Sequence, residues 1–250
     1  MVFYLSVQPY FYSYLIVVQN QSVAAAGHIT QVFSFSSTVA SVIVSIVIKY
    51  VRRYKPFIVA GSLLYITGIG LMIRYRTQDA SIAQIVGVQI AVGIGGGLVN
   101  VAAQLGVQAS VSSHQQVAVA TAVYMTLVEL GYAVGSAISG AVWGKLIPAK
   151  LEEYLPENAK GNVTAIYNSM VLASSFEFGS PERDAINRSY QETMTTLLTI
   201  AVCLCVPVVL LCLVMSDIKL DTVEQKVKGR VIGGNVKAEK KPSEERASDL

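Results

Sequence analysis

Charge is sorted along this chain with a single exception. Six long apolar stretches, residues 2–18, 29–48, 56–73, 82–107, 117–143 and 195–215, contain no Asp, Glu, Lys or Arg apart from Glu129, near the middle of the fifth. A charge at the centre of a bilayer costs about 2.5–3.5 kcal/mol or more, so such sorting marks membrane-spanning segments. A helix needs roughly 20 apolar residues to cross the hydrocarbon core. Barrel strands run to only about ten residues and alternate in polarity, and no other backbone satisfies its polar groups in lipid. The sequence predicts an all-α membrane protein with six transmembrane helices, the first of them short. At 53% hydrophobic and 14% charged residues, a soluble domain would have nothing left to cover runs of this length.

Residues 1–26 resemble a signal peptide in hydrophobicity but lack a basic start, and Gln8-Pro9 interrupts the run. They are read as a first helix. The net charge of +3 is dispersed, which gives no concentrated basic face for nucleic acid. Cys203, Cys205 and Cys212 lie together in the last apolar stretch with no His nearby, against both a disulfide framework and a metal site. No Ser-His-Asp set, metal-ligand cluster or pair of intramembrane carboxylates is visible. The chain is not expected to be an enzyme, and no cofactor or metal is expected.

Residues 49–55 carry Lys49, Arg52, Arg53 and Lys55 and no acid, which puts this turn on the cytoplasmic side. Six spans then leave both termini inside, and three loops outside: 19–28, 74–81 and the long 144–194. Sequons at Asn20, Asn162 and Asn187 all fall on the outside and are candidate glycosylation sites. The expected organisation is a membrane domain over 1–215, including the outer loop, and a mixed-charge, disordered cytoplasmic tail over 216–250. Within the loop, Leu151, Tyr154 and Leu155, then Val163, Ile166, Tyr167, Met170 and Val171, have helical spacing, and Pro181 is placed to start a helix.

Glu129 is the first candidate for function. At 100° per residue its helix face includes Ala118, Ala122, Met125, Thr126, Tyr132 and Ser136. Either it couples protons or pairs with substrate, or it is a protonated carboxyl hydrogen-bonded to Tyr132 or a neighbouring helix. Gly131, Gly135 and Ser139 recur every four residues on another face, which suits close helix packing. Gly93, Gly95, Gly96 and Gly97 lie inside the fourth span, where they serve either packing or a hinge. They are neither a dinucleotide fingerprint nor a phosphate loop, since position 98 is Leu and no Gly-Lys-Ser follows. Asn100 and Gln104 share a face of the same helix and either line a pathway or bond across helices. Tyr10, Tyr12 and Tyr14 make the first helix aromatic, as interface anchors or as a substrate-facing wall.

Taken together, Tyr10-Phe-Tyr-Ser-Tyr-Leu15, Arg53-Tyr-Lys-Pro-Phe57, Gly70-Leu-Met-Ile-Arg-Tyr-Arg76, Gly93-Ile-Gly-Gly-Gly97 and Gly135-Ser-Ala-Ile-Ser-Gly-Ala-Val-Trp143 resemble, in order and spacing, the C-terminal part of fungal siderophore–iron transporters of the major facilitator superfamily. The resemblance covers nearly the whole chain short of its tail. It implies six helices forming one half of a proton-coupled transporter, with the ferric siderophore and protons as transported species. A missing N-terminal half is then the implied partner within the bilayer. Tyr167, Arg183 and Tyr190 in the outer loop become contacts for an anionic iron chelate. The resemblance leaves the plasma membrane and the endosomal or vacuolar membrane open. Alternative readings are a glutathione or drug:proton antiporter of the same fold, and a truncated membrane protein that does not transport.

Overall fold

The computed structural model describes residues 10–111 and 113–217. In chain order the helices are α1 (Phe11–Val17), α2 (Val23–Val51), α3 (Lys55–Tyr75), α4 (Ile82–Ala109), α5 (His114–Tyr154), a 3-10 turn (Lys160–Asn162), α6 (Val163–Asn168), α7 (Met170–Ser175) and α8 (Pro181–Val214); no strand occurs among the described residues. Helices α2, α3, α4, α5 and α8 are long and apolar enough to cross a membrane. This is an all-α membrane fold. Of the expected first span, residues 2–9 lie outside the described residues, and the rest forms the seven-residue α1. Beyond Asp217 the tail also lies outside them.

Helix starts follow side-chain chemistry. Ser22, Ser81, Ser113 and Ser180 each cap a helix by accepting the N–H three residues on, satisfying a donor that the helix cannot. Ser81 and Gln84 form a reciprocal capping box. Pro181 sits in the first turn of α8 beside Glu182 and Asp184, where a missing N–H costs nothing and carboxylates meet the positive end of the helix dipole. At the turn expected inside, Arg52 adopts a left-handed φ of 56° and ends α2. Tyr54 then anchors this end: it is 2% exposed and its hydroxyl donates to the Ser216 carbonyl at 2.9 Å.

Helix α4 is clamped between α2 and α3 by glycines. A Cβ built on Gly95 would lie 2.8 Å from the Tyr65 N and 2.9 Å from the Gly61 O, both on α3, and one on Gly93 would lie 2.7 Å from the Phe33 O on α2. Gly97 is pressed as closely onto the Ser37 carbonyl, while Gly96 faces the rings of Phe33 and Tyr65. Three of the four glycines thus let backbone meet backbone, an arrangement that any side chain would force apart.

Helix α5 is different. None of the most hydrophobic window of this helix is buried. Only toward its far end do Gly135, Ser139 and Trp143, four apart, turn into the core, with Gly131 half-buried.

One sequence expectation is corrected. The segment 144–194 is not chiefly a loop, because α5 continues eleven residues past Trp143 and α8 begins at Pro181. Leu151 and Tyr154 belong to that extension of α5. Both extended turns are held together by side chains described below, so the connection proper is residues 155–180.

Candidate functional site

Three of the residues singled out in the sequence, Tyr10, Tyr167 and Tyr190, come together around Trp143. Tyr10, the residue before α1, stacks on its indole with centroids 4.1 Å apart and planes 4° from parallel. Tyr190, from α8, meets the same indole edge-on at 5.2 Å. Tyr167, from α6, packs against the same buried cluster. Two glycines on α5 make room: a Cβ on Gly140 would touch the Tyr10 hydroxyl, and one on Gly144 the Tyr167 hydroxyl, each at 3.6 Å. Four chain segments therefore meet in an aromatic niche whose floor is Trp143, only 6% exposed. Of the candidates in the first helix, Tyr14 is fully buried in the core and Tyr12 half-buried beside it.

A helical cap holds the niche. Glu192 on α8 is the hub: it pairs with Lys150, accepts the Tyr154 hydroxyl at 2.9 Å and accepts the Arg188 Nε at 2.9 Å. Arg188 also lies over the Tyr154 ring, 4.2 Å from its centroid. These residues lie beyond the apolar spans. The hydrogen bond from Lys150 first, then those from Arg188 and Tyr154, hold the Glu192 carboxyl down at about 2, because each favours the anion. Glu192 raises the Lys150 and Arg188 pKa values in return.

Arg183 is placed otherwise than expected. It is fully buried in the first turn of α8, donating to the Val17 carbonyl at 2.5 Å and the Ala173 carbonyl at 2.8 Å, with its guanidinium 4.9 Å from the Phe178 ring. It ties the end of α1 and the end of α7 to α8, so it is not presented to the outside as a chelate contact. Asn187 is likewise buried, 0% exposed inside α8. Asn20 and Asn162 are exposed.

The intramembrane candidates lie along the seam between α4 and α5. Asn100 on α4 accepts the Tyr124 hydroxyl at 3.0 Å, and Gln108 donates to Thr121 at 3.0 Å. Gln104 is half-buried between them in sequence, and Tyr132 interacts with Tyr124. Glu129 is not drawn into this seam; it is exposed on the bare face of α5, among Met125, Leu127 and Leu130. Sequence reasoning passed over Trp143 as an individual residue, and missed Tyr124 and the Glu192 hub. The spacing of Arg188 and Glu192, one helical turn apart, was the available signal for the last.

The chain is similar to several curated proteins. It is 53% identical over 225 residues to the siderophore iron transporter mirC of Emericella nidulans, and 54% identical over 225 residues to MFS siderochrome iron transporter C of Aspergillus fumigatus. Each match covers 90% of this chain and 37% of the relative. Siderophore iron transporter 1 of Saccharomyces cerevisiae is 31% identical over 198 residues, covering 79% of this chain and 31% of the relative. The chain thus spans little more than a third of the length of the relatives it matches. No family model matches it, and no solved structure does.

Proposed function

We propose that this chain, homologous over nine-tenths of its length to part of the fungal siderophore iron transporters of the major facilitator superfamily, contributes to moving ferric siderophore chelates across a membrane. The observation that carries the reading is that match, over 90% of the chain at 53% identity. The relatives are named as transporters, a class apart from enzymes.

The proposal extends to a partner. The face of α5 that bears Glu129 is bare, and a carboxylate facing hydrocarbon is costly. Intramembrane acids face protein or water, so this face is read as the surface that meets the remainder of the transporter. Glu129 then becomes a protonatable group beside the pathway, with Asn100, Gln104 and Tyr132 on the adjoining seam. The movement of chelate is proposed to be coupled to protons through it.

The test is accumulation of radio-iron chelate in iron-starved fungal cells that lack their own chelate uptake. The chain is expressed alone, and with the part of the Emericella nidulans relative that it does not match. Uptake is expected from the pair and from neither part alone, and Glu129→Gln should remove its dependence on external pH at equal surface expression. A pair that assembles in the membrane yet accumulates no chelate would refute the reading.

A further inference from the structure

We propose that the indole of Trp143 is a contact surface for the ferric chelate, and that Tyr10 is its displaceable cover. The inference rests on the transport reading above and names the residue on which the substrate lies.

Three features support it. First, Tyr10 lies on one face of the indole as a parallel plate, with ring centroids 4.1 Å apart, and another flat delocalised group can use an aromatic face in the same way. The metal-binding arms of hydroxamate chelates are such groups: planar, delocalised, and bearing partly anionic oxygens. Second, Tyr10 and Tyr190 both pack on the indole, and the Tyr167 hydroxyl lies beside the neighbouring Gly144. Neutral phenols donate hydrogen bonds to anionic oxygens without a full charge of their own, which suits a bulky chelate that must leave again. Third, α5 carries no side chain at the two positions that meet these hydroxyls. Gly140 and Gly144 flank Trp143 on α5 and leave the hydroxyls of Tyr10 and Tyr167 in ordinary contact with the helix. A larger residue at either position would fill the space into which these rings fit.

Tyr10 is the natural mover. Tyr190 is held within α8 and is 3% exposed. Tyr10 precedes the first turn of α1 and is only half-buried. When it swings off the indole, a flat chelate arm can take its place at the same separation. Tyr10 therefore competes with the ligand, and the apparent affinity is reduced by the fraction of time the indole is covered.

This yields a result that a packing role alone does not produce. Removing the cover by Tyr10→Ala should strengthen chelate binding by about two- to tenfold, the equilibrium worth of one aromatic stack. Removing the floor by Trp143→Ala should weaken it at least tenfold, and Trp143→Phe should retain most of it. Trp143 is the chain's single tryptophan, so its emission reports on this site alone.

The experiment uses the full chain in lipid nanodiscs, with the ferric complexes of desferrioxamine B and ferrichrome as probes and radio-iron retention as the measure of binding. In parallel, Trp143 emission is followed on adding each ferric complex and its gallium counterpart. The expected result is at least half of the emission quenched at saturation by the ferric complex, much less by gallium, and a tighter midpoint in Tyr10→Ala. Retention of chelate with unchanged emission, or equal retention by parent, Tyr10→Ala and Trp143→Ala, overturns the inference while leaving the transport reading standing. Retention of neither chelate by folded chain overturns the inference because the chain then holds no chelate surface; uptake by the assembled pair would still uphold the transport reading.

Discussion

Replacing Gly95 by Ala tests the central packing claim. The added Cβ would lie 2.8 Å from the Tyr65 N and 2.9 Å from the Gly61 O. Both are backbone atoms, so no side-chain rotation relieves the clash, and α3 and α4 must part by roughly half an ångström. Overpacking of this kind costs about 1–3 kcal/mol. The higher helix propensity of Ala offsets about 0.5–1 kcal/mol of it. The net loss is then about 1 kcal/mol and at most about 2.5 kcal/mol, which for a chain of this size lowers the unfolding midpoint by about 2–4 °C and at most about 10 °C. Gly87 lies on the same helix with nothing within 4 Å of its built Cβ, so Gly87→Ala should gain the propensity term and raise the midpoint by about 1–4 °C. The assay is thermal loss of helical circular dichroism for the full chain in detergent, with parent and both variants in parallel. A Gly95→Ala midpoint within a degree of the parent's, or a Gly87→Ala loss equal to it, would show that backbone proximity does not hold these helices together.

The remaining predictions concern the cap. Arg183→Met removes charged hydrogen bonds worth about 1.5–3 kcal/mol each to Val17 and Ala173, so limited proteolysis within 155–180 should accelerate by about tenfold or more. Glu192, held down to about 2 from an ordinary 4.5, contributes stability that is complete above about pH 4.5 and is lost as pH falls toward 2; protease resistance of the cap should be flat from pH 7 to 5 and fall below that, and Glu192→Gln should abolish the fall. Glycan mapping of the chain made in a yeast secretory pathway should find Asn187 bare, because it is wholly buried, with any occupancy confined to Asn20 and Asn162.

What the sequence made legible was the part governed by solvent. Charge placement alone located the five long helices, because hydrocarbon penalises every exception. The glycine run could be assigned to packing or to a hinge only by knowing what lay opposite, and Tyr65 and Phe33 are distant in sequence from Gly95 and Gly93. Arg183 shows the limit most clearly. The family resemblance implied an exposed ligand contact, yet Arg183 is buried and donates to the Val17 and Ala173 carbonyls of two separated segments. Asn187 shows the same limit: a sequon describes three residues, while access depends on the helix that buries them. The niche was partly legible, since Tyr10, Tyr167 and Tyr190 were all candidates. Their meeting point was not, because Trp143 read as the end of a packing motif.

Two stretches of α5 carry the two parts of the proposed function. At one end Gly135, Ser139 and Trp143 are buried, and the niche around the indole draws all its members from this chain. Toward the middle, Glu129 stands on a surface that none of the described residues covers, while Tyr124 of the same helix and Asn100 across the seam already satisfy one another. The chelate surface proposed above draws every residue from this chain, so it should hold ligand without help. A carboxylate at mid-helix cannot cycle a proton usefully until protein or confined water surrounds it, because lipid opposes the charged form and offers no acceptor. The proposed recognition and the proposed coupling therefore have different structural requirements, and on that reading the chain alone should bind chelate without moving it.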